Sequence, residues 1–267
     1  GVAADVSIAK LFIAGVVPGI VLATLFMGYI VVWSLLHPDQ IPAPEQSMSL
    51  AQKLYASRHL IPVVLLIGAV LGSIYSGVAT ATEAAAIGVL GSLVVAAAEG
   101  SLNWKSFTQG VGAACRVYCM IGLILAGAAF LTLAMGFVGL PRHLAEFITA
   151  QNLTPFHLVL ALTVFYLVLG CFLDGISMVV LTIGVLLPTV QAAGFDLIWF
   201  GVFTVLLVEL AQITPPVGLN LFVLQGLTKH ELTYVARTAT PMFLMMLLAA
   251  MLSYFFQDLI LWLPSRM

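Results

Sequence analysis

Apolar residues run almost unbroken along this chain, so the informative positions are the few polar or proline-containing interruptions. Residues 11–36 form an apolar run of about 26 residues, where about 20 suffice for a helix to cross a bilayer. A spanning helix is predicted there, with a tolerable kink at Pro18. The stretch HPDQIPAPEQSMSLAQKLYASRH (37–59) then gathers three prolines and several charges. That places it in water or among headgroups, with a short interfacial helix expected over 49–58.

Residues 60–75 are apolar but slightly short for a span, and SGVATATEAAA (76–86) separates them from a second run that reaches residue 98. Residues 110–135 are apolar and rich in Gly and Ala. They predict either one span or two half-spans that turn inside the membrane. Beyond them, 141–149 alternate charged and apolar groups like a surface helix. A span over 153–173 is stopped by Leu-Asp-Gly at Asp174, and a shorter run over 176–190 ends around Pro188. Residues 195–227 would make about 50 Å of continuous helix at 1.5 Å per residue, against an apolar bilayer core of about 30 Å. The Thr214-Pro215-Pro216 interruption divides this excess length. With a last span over 238–263, roughly seven to nine crossings or half-crossings result.

Composition sharpens this to a class. Hydrophobic residues make up 62% of the chain and charged ones only 7%, and the mean hydropathy is +1.16. A soluble domain carries about 25% charged residues, so most of this surface must face lipid. Long runs without strict alternation select helices over a β-barrel. The expected fold is therefore an all-α polytopic membrane protein. Scattered basic residues and a net charge of −2 give no footprint for nucleic acid. Cys115, Cys119 and Cys171 lie in apolar segments without a His or further Cys to complete a metal set. Nucleophile motifs, phosphate loops and zinc spacings are missing too, so the expectation is a protein that is not an enzyme.

The interruptions carry the chemistry. Pro215 and Pro216 have no N–H, so the carbonyls of Ala211 and Gln212 are expected to lose their helical partners. In hydrocarbon an unsatisfied carbonyl costs several kcal/mol, and irregular backbone survives only inside protein or along a wet cavity. A hard cation such as Na⁺ is one natural replacement partner. The half-helix ending near Ile213 presents carbonyls, and the half starting after Pro216 presents N–H groups suited to a carboxylate. Thr214 adds a hydroxyl, Gly218 allows close approach and Asn220 adds an amide. The plain alternative is a structural proline kink. Gly77, Thr80, Thr82 and Glu83 interrupt an earlier run in the same manner. Thr80 with Glu83 three residues on is also a capping box, so Glu83 is as readily a cap as a functional acid. Asp174 and Glu209 are the other carboxylates in apolar runs, where acids default to function. Asp174 beside Gly175 is equally a helix-end residue.

Four segments then join in one pattern: SGVATATEAAA, AAFLTLAMGFVGLPRHLAEF, CFLDGISMVVLTIGVLLPTVQAAGFD and VELAQITPPVGLNLFVLQGL. Together they resemble the large membrane subunit of the tripartite ATP-independent periplasmic (TRAP) transporters, across nearly all of the chain. ITPPVGLNLF is the most specific piece, and TATEAAA departs from the family's usual pattern by having Ala81 where Pro is common.

The resemblance implies one half of an inverted-repeat transporter, with a re-entrant hairpin and a broken helix. It implies segments over 1–59 (linking helix and scaffold), 60–108 (helices around the first break), 109–150 (hairpin and surface helix), 151–237 (transport-domain helices) and 238–267 (last helix). The first repeat would lie outside this chain, whose first residues resemble the segment just after it.

Function follows from the same resemblance. It implies sodium-coupled, elevator-type import of an organic acid, such as a C4-dicarboxylate or a sugar acid like sialic acid. Delivery would be by a periplasmic binding protein, and a small membrane subunit would support the permease in the bacterial inner membrane. By motif match, Thr132 and Gly136 at a hairpin tip join Ile213, Thr214 and Pro215 at sodium. Pro216, Gly218 and Asn220 face the substrate cavity. Gly77, Thr80, Thr82, Glu83, Asp174 and Glu209 belong to signatures without an assigned role. Two rivals stand beside this reading, a Na⁺/H⁺ antiporter-like exchanger titrating Asp174 or Glu209, and a structural membrane subunit without an ion site. Basic residues in most loops leave orientation open under the positive-inside rule.

Overall fold

Ser7, Thr80, Asp174 and Asp196 each start a helix with a side chain that accepts a backbone N–H left without a partner at the helix end. The computed structural model describes residues 1, 4–40, 49, 52, 55, 57–139, 143, 146, 154–215 and 218–266. Its elements are α1 (Ile8–Ala14), α2 (Val16–Leu36), α3 (Ile61–Tyr75), α4 (Ala81–Ala98), α5 (Trp104–Val138), α6 (Pro155–Gly170), α7 (Gly175–Ala192), α8 (Leu197–Gln212), α9 (Leu219–Thr228), α10 (Leu232–Phe255) and α11 (Asp258–Leu261). Short 3₁₀ turns lie at Pro38–Gln40, Ser57–Leu60 and Pro264–Arg266. Among the described residues, five stretches are long and apolar enough to cross a bilayer, and α3, α6 and α8 are shorter apolar helices. The all-α polytopic membrane architecture expected from the sequence is the one observed.

The prolines explain most departures from the expected boundaries. Pro18 falls in the first turn of α2, where its missing N–H has no partner to lose, and the joint between α1 and α2 comes at Gly15 instead. Pro188 does not end its helix as expected: α7 continues to Ala192 and closes at Gly194, which takes φ +81°. The last long helix starts at Leu232, earlier than expected, and carries Pro241 inside it. Residues 104–138 form one continuous helix, so no turn occurs inside the Gly- and Ala-rich run. The helix closes at Gly139, at φ +73°. Most of the two expected surface helices, 49–58 and 141–149, lies outside the described residues.

The chain divides into two compact units, residues 1–29 with 119–267, and residues 30–118. In the second, α3 packs on α4 because glycines thin the α4 face. A Cβ at Gly91 would overlap the Leu66 side chain, and one at Gly88 would stand 3.3 Å from Val70.

In the first unit α8 is the central element, packed against α1, α6, α7, α10 and α11. Trp199, Phe200, Phe203 and Leu207 are fully buried on it. Phe195, Trp199 and Phe203 stack in series with ring centroids 4.7 and 4.8 Å apart. The Trp199 indole N–H donates to the Ser253 carbonyl of α10 at 2.8 Å, which satisfies the one polar atom of the stack. Asp196 caps α8 by accepting from the N–H groups of Ile198 and Trp199 at 2.7 and 3.1 Å.

Trp199→Ala is expected to destabilise this unit by about 3–5 kcal/mol through the cavity it leaves. Trp199→Phe, which loses the hydrogen bond and part of the ring volume, should cost less than Trp199→Ala, about 1–3 kcal/mol. The Tm of the detergent-purified protein checks both.

Candidate functional site

The Thr214-Pro215 break sits at the C-terminal end of the most buried helix. Pro215 and Pro216 would have been the donors to the Ala211 and Gln212 carbonyls. The chain responds by tightening: the Ile213 N–H donates to the Leu210 carbonyl at 3.3 Å and the Thr214 N–H to the Ala211 carbonyl at 3.1 Å. The Ala211 carbonyl, expected to be free, is therefore taken. Its partner comes from 3₁₀-type spacing one residue earlier than the missing one. The Thr214 hydroxyl donates to the Leu210 carbonyl at 2.8 Å, which leaves its oxygen lone pairs uncommitted. Ile213 and Thr214 are half-buried and Pro215 is exposed. Pro216 and Val217 lie outside the described residues.

The chain then doubles back closely. The Gly218 N–H donates to the Thr214 carbonyl at 3.1 Å. A Cβ at 218 would stand 2.5 Å from the Gln212 carbonyl oxygen and 3.0 Å from that of Thr214. Only a glycine seats there, so the close approach read from the sequence is one of backbone on backbone. Gly218 is the N-cap of α9 and is buried, with Asn220 half-buried in the first turn. The carbonyl end of α8 and the N–H end of α9 are thereby held side by side.

A second wall comes from the turn between α6 and α7. A Cβ at Gly170 would overlap that of Ala211, and one at Gly175 would overlap the Gln212 amide and stand 2.7 Å from Val208. Cys171 Sγ lies 3.8 Å from the Pro215 carbonyl oxygen. Sequence reasoning missed Gly170, Cys171, Gly175 and Gln212 as neighbours of the break. The available signal was the cost of two glycines at the ends of apolar helices, which usually marks a packing reason.

Asp174, between those glycines and just before the α7 span, is the N-cap of that helix. It accepts from the Ser177 N–H at 3.2 Å and also from the Ser177 hydroxyl. Partial burial pushes its carboxyl upward. The Ser177 hydroxyl and neighbouring N–H groups outweigh that, so the net displacement is below the usual aspartate value.

The remaining candidates are distributed elsewhere. Thr132 and Gly136 lie within the last turns of α5, so their backbone is helical and not an irregular tip. The Thr132 side chain packs on Gly184 of α7, nine residues or about 13 Å of helix rise from Gly175. In the other unit, Gly77 takes φ +71° after α3. Thr80 and Glu83 close a full capping box on α4. The Thr80 N–H and hydroxyl each donate to Glu83 Oε2 at 2.8 Å, and the Glu83 N–H donates to Thr80 Oγ1 at 3.3 Å. Thr82 is exposed in that first turn, and Glu209 is exposed on α8.

Two substitutions separate these roles. Thr80→Ala should cost about 0.5–2 kcal/mol of stability by uncapping α4, with recovery in Thr80→Ser. Gly218→Ala should disrupt the α8–α9 junction itself. Its signature is rapid proteolytic cleavage near residues 213–218 in the purified protein, where Thr80→Ala leaves that stretch protected.

Residues 1–259 match the family model described as Tripartite ATP-independent periplasmic transporter, DctM component. The chain is 30% identical over 264 residues to the C4-dicarboxylate TRAP transporter large permease protein DctM of Pseudomonas aeruginosa, covering 98% of this chain and 61% of that protein. It is 27% identical to the sialic acid TRAP transporter large permease protein SiaM of Vibrio cholerae, covering 96% of this chain and 60% of that protein. It is also 27% identical to the isethionate TRAP transporter permease protein DctMQ of Oleidesulfovibrio alaskensis, covering 92% and 39%. The chain thus spans about three-fifths of the length of the large permeases it matches. With its helical membrane architecture and the ITPPVG break in place, the chain belongs to the DctM component family of the TRAP transporters.

Proposed function

We propose that this chain forms part of a sodium-coupled importer of small organic anions in the bacterial inner membrane. A periplasmic binding protein delivers the substrate, and a small membrane subunit and the rest of the large permease complete the machine. The observation that carries the reading is the α8–α9 junction, where a carbonyl-bearing helix end and an N–H-bearing helix end are held together at Gly218. Oxygen from Ile213, Thr214 and Pro215 suits a hard cation. The start of α9, with Gly218 and Asn220, suits an anionic group, and the family motif match adds Pro216 to that set. The family motif match extends sodium binding to Thr132 and Gly136, which lie in the last turns of α5.

Substrate class follows the same chemistry. C4-dicarboxylate, sialic acid and isethionate, in the names of the similar permeases, are all anions at neutral pH. A helix N-terminus recognises that shared charge without distinguishing carboxylate from sulfonate. Asp174 is engaged as a helix cap, and the Ser177 contacts hold its carboxyl below the usual aspartate range, which gives a proton-titrating exchanger no support at this residue.

The test is uptake into proteoliposomes by the complete transporter, with its binding protein loaded from a panel of organic acids. An imposed inward sodium gradient should drive accumulation. Thr214→Ala should raise the sodium concentration for half-maximal uptake about tenfold, the equivalent of about 1.4 kcal/mol. Uptake indifferent to sodium in the wild type would sink the proposal.

A further inference from the structure

At the N-terminal end of α8, about 24 Å of helix rise from the break, the first unit holds a cavity of about 380 Å³. No part of the proposed transport chemistry uses it. Phe195, Tyr254 and Phe255 line it together with Pro155, Ala193 and Gly194. The Tyr254 ring stands 5.1 Å from that of Phe255 and 6.4 Å from that of Phe195. Phe156 packs on the Tyr254 and Phe255 rings at 5.7 and 6.1 Å. α7 and α10, both long and apolar enough to cross a bilayer, end here at Ala192 and Phe255, which puts the cavity at headgroup depth.

Its polar character is one-sided. Helix C-termini present carbonyls and partial negative charge. Among the described residues, no donor reaches the carbonyls of Ala193, Gly194, Tyr254 and Phe255. The N-termini of α6 and α8 also meet here but offer few free donors. Pro155, the first residue of α6, has no N–H, and the Asp196 carboxylate already accepts from Ile198 and Trp199. No lining residue is basic, and Asp196 and Asp258 each directly follow a lining residue in the chain. Carbonyls without donors beside aromatic rings are the surroundings an ammonium group takes: the oxygens accept its N–H bonds and the ring quadrupoles attract its charge.

We propose that this cavity binds the primary ammonium headgroup of a phospholipid. The exposed rings of Phe156, Phe255 and Phe256 continue its rim toward the bilayer, where acyl chains lie, which favours a lipid over a free amine. Three N–H donors match the free carbonyls. A trimethylammonium headgroup has no donor for them, and an anionic headgroup has the wrong charge.

The site is independent of sodium coupling, and stability alone reads it. The purified, delipidated complete transporter is titrated in detergent with phosphatidylethanolamine, phosphatidylcholine or phosphatidylglycerol of the same acyl chains, and Tm is followed. Phosphatidylethanolamine should raise Tm most. Phe255 is 64% exposed, so Phe255→Leu does not put folding at risk. That variant should need about two- to fivefold more phosphatidylethanolamine for the same rise, the span of an exposed cation–π contact. Phe255→Tyr should keep the wild-type response. Tyr254→Leu should act like Phe255→Leu, with the phosphatidylglycerol titration registering any loss of fold common to all lipids. Equal rises with the three lipids in the wild type overturn the site, as does a phosphatidylethanolamine-specific rise unchanged in both leucine variants. Ethanolamine without acyl chains matching the lipid's effect would overturn the lipid as occupant.

Discussion

Every backbone carbonyl at membrane depth has to find a donor within the protein, and in this chain proline decides which ones do not find it in their own helix. The positions of the prolines order themselves by this cost. Pro62 and Pro155 open α3 and α6, and Pro18 lies in the first turn of α2, where a missing N–H is no loss. Pro188 and Pro241 lie inside helices that carry on past them, each depriving one carbonyl. Pro215 and Pro216 stand together, and two consecutive missing donors are more than an α-helix absorbs. α8 ends, Thr214 re-engages Ala211 in a tighter turn, and α9 begins again after Gly218. A graded set of defects, from harmless to helix-ending, is thus written in one residue type.

Glycine determines what fills those defects. Gly170 and Gly175 bring the α6–α7 turn against Ala211 and Gln212, and Gly218 brings the start of α9 over the Gln212 and Thr214 carbonyls. Any side chain at these positions would open a gap at the end of α8. Water or lipid would then reach backbone groups that the chain covers with itself. The stacked Phe195–Trp199–Phe203 series anchors the other end of α8, tied to α10 through the Ser253 carbonyl. The break is therefore irregular backbone on a rigid helix, with its geometry set by neighbours on both sides.

This division explains what could be read in advance. Helix existence was legible because long apolar runs leave few alternatives in lipid. The break at residue 213 was legible because adjacent prolines have one local meaning. The Thr80–Glu83 capping box was legible for the same reason, since its partners are three residues apart. Contacts between helices were not: nothing local in Gly170, Cys171, Gly175 or Gln212 says that they meet at the end of α8. Pro188 misled because a lone proline either ends a helix or sits within it, and packing of the buried residues on α7, such as Met178, Leu186 and Val190, settles that competition. Residues 110–135 left one span and a turning pair equally open, since small residues suit both. The structure carries the helix through to Val138 and turns only at Gly139, which takes a left-handed conformation.

The acids give the remaining step. Glu83 and Asp174, both suited by position to functional roles, are engaged at the N-termini of α4 and α7, where a carboxylate satisfies backbone N–H groups and complements the helix dipole. Glu209 is exposed on α8. The oxygens left for an ion are consequently neutral: backbone carbonyls and threonine hydroxyls. Carboxylate ligands would bind a cation tightly and respond to protons. Neutral oxygens hold a monovalent ion weakly, and a carrier must let its ion go on the far side as readily as it takes it up. Under the proposed function, committing Glu83 and Asp174 to helix caps leaves neutral oxygens for the ion and keeps it releasable.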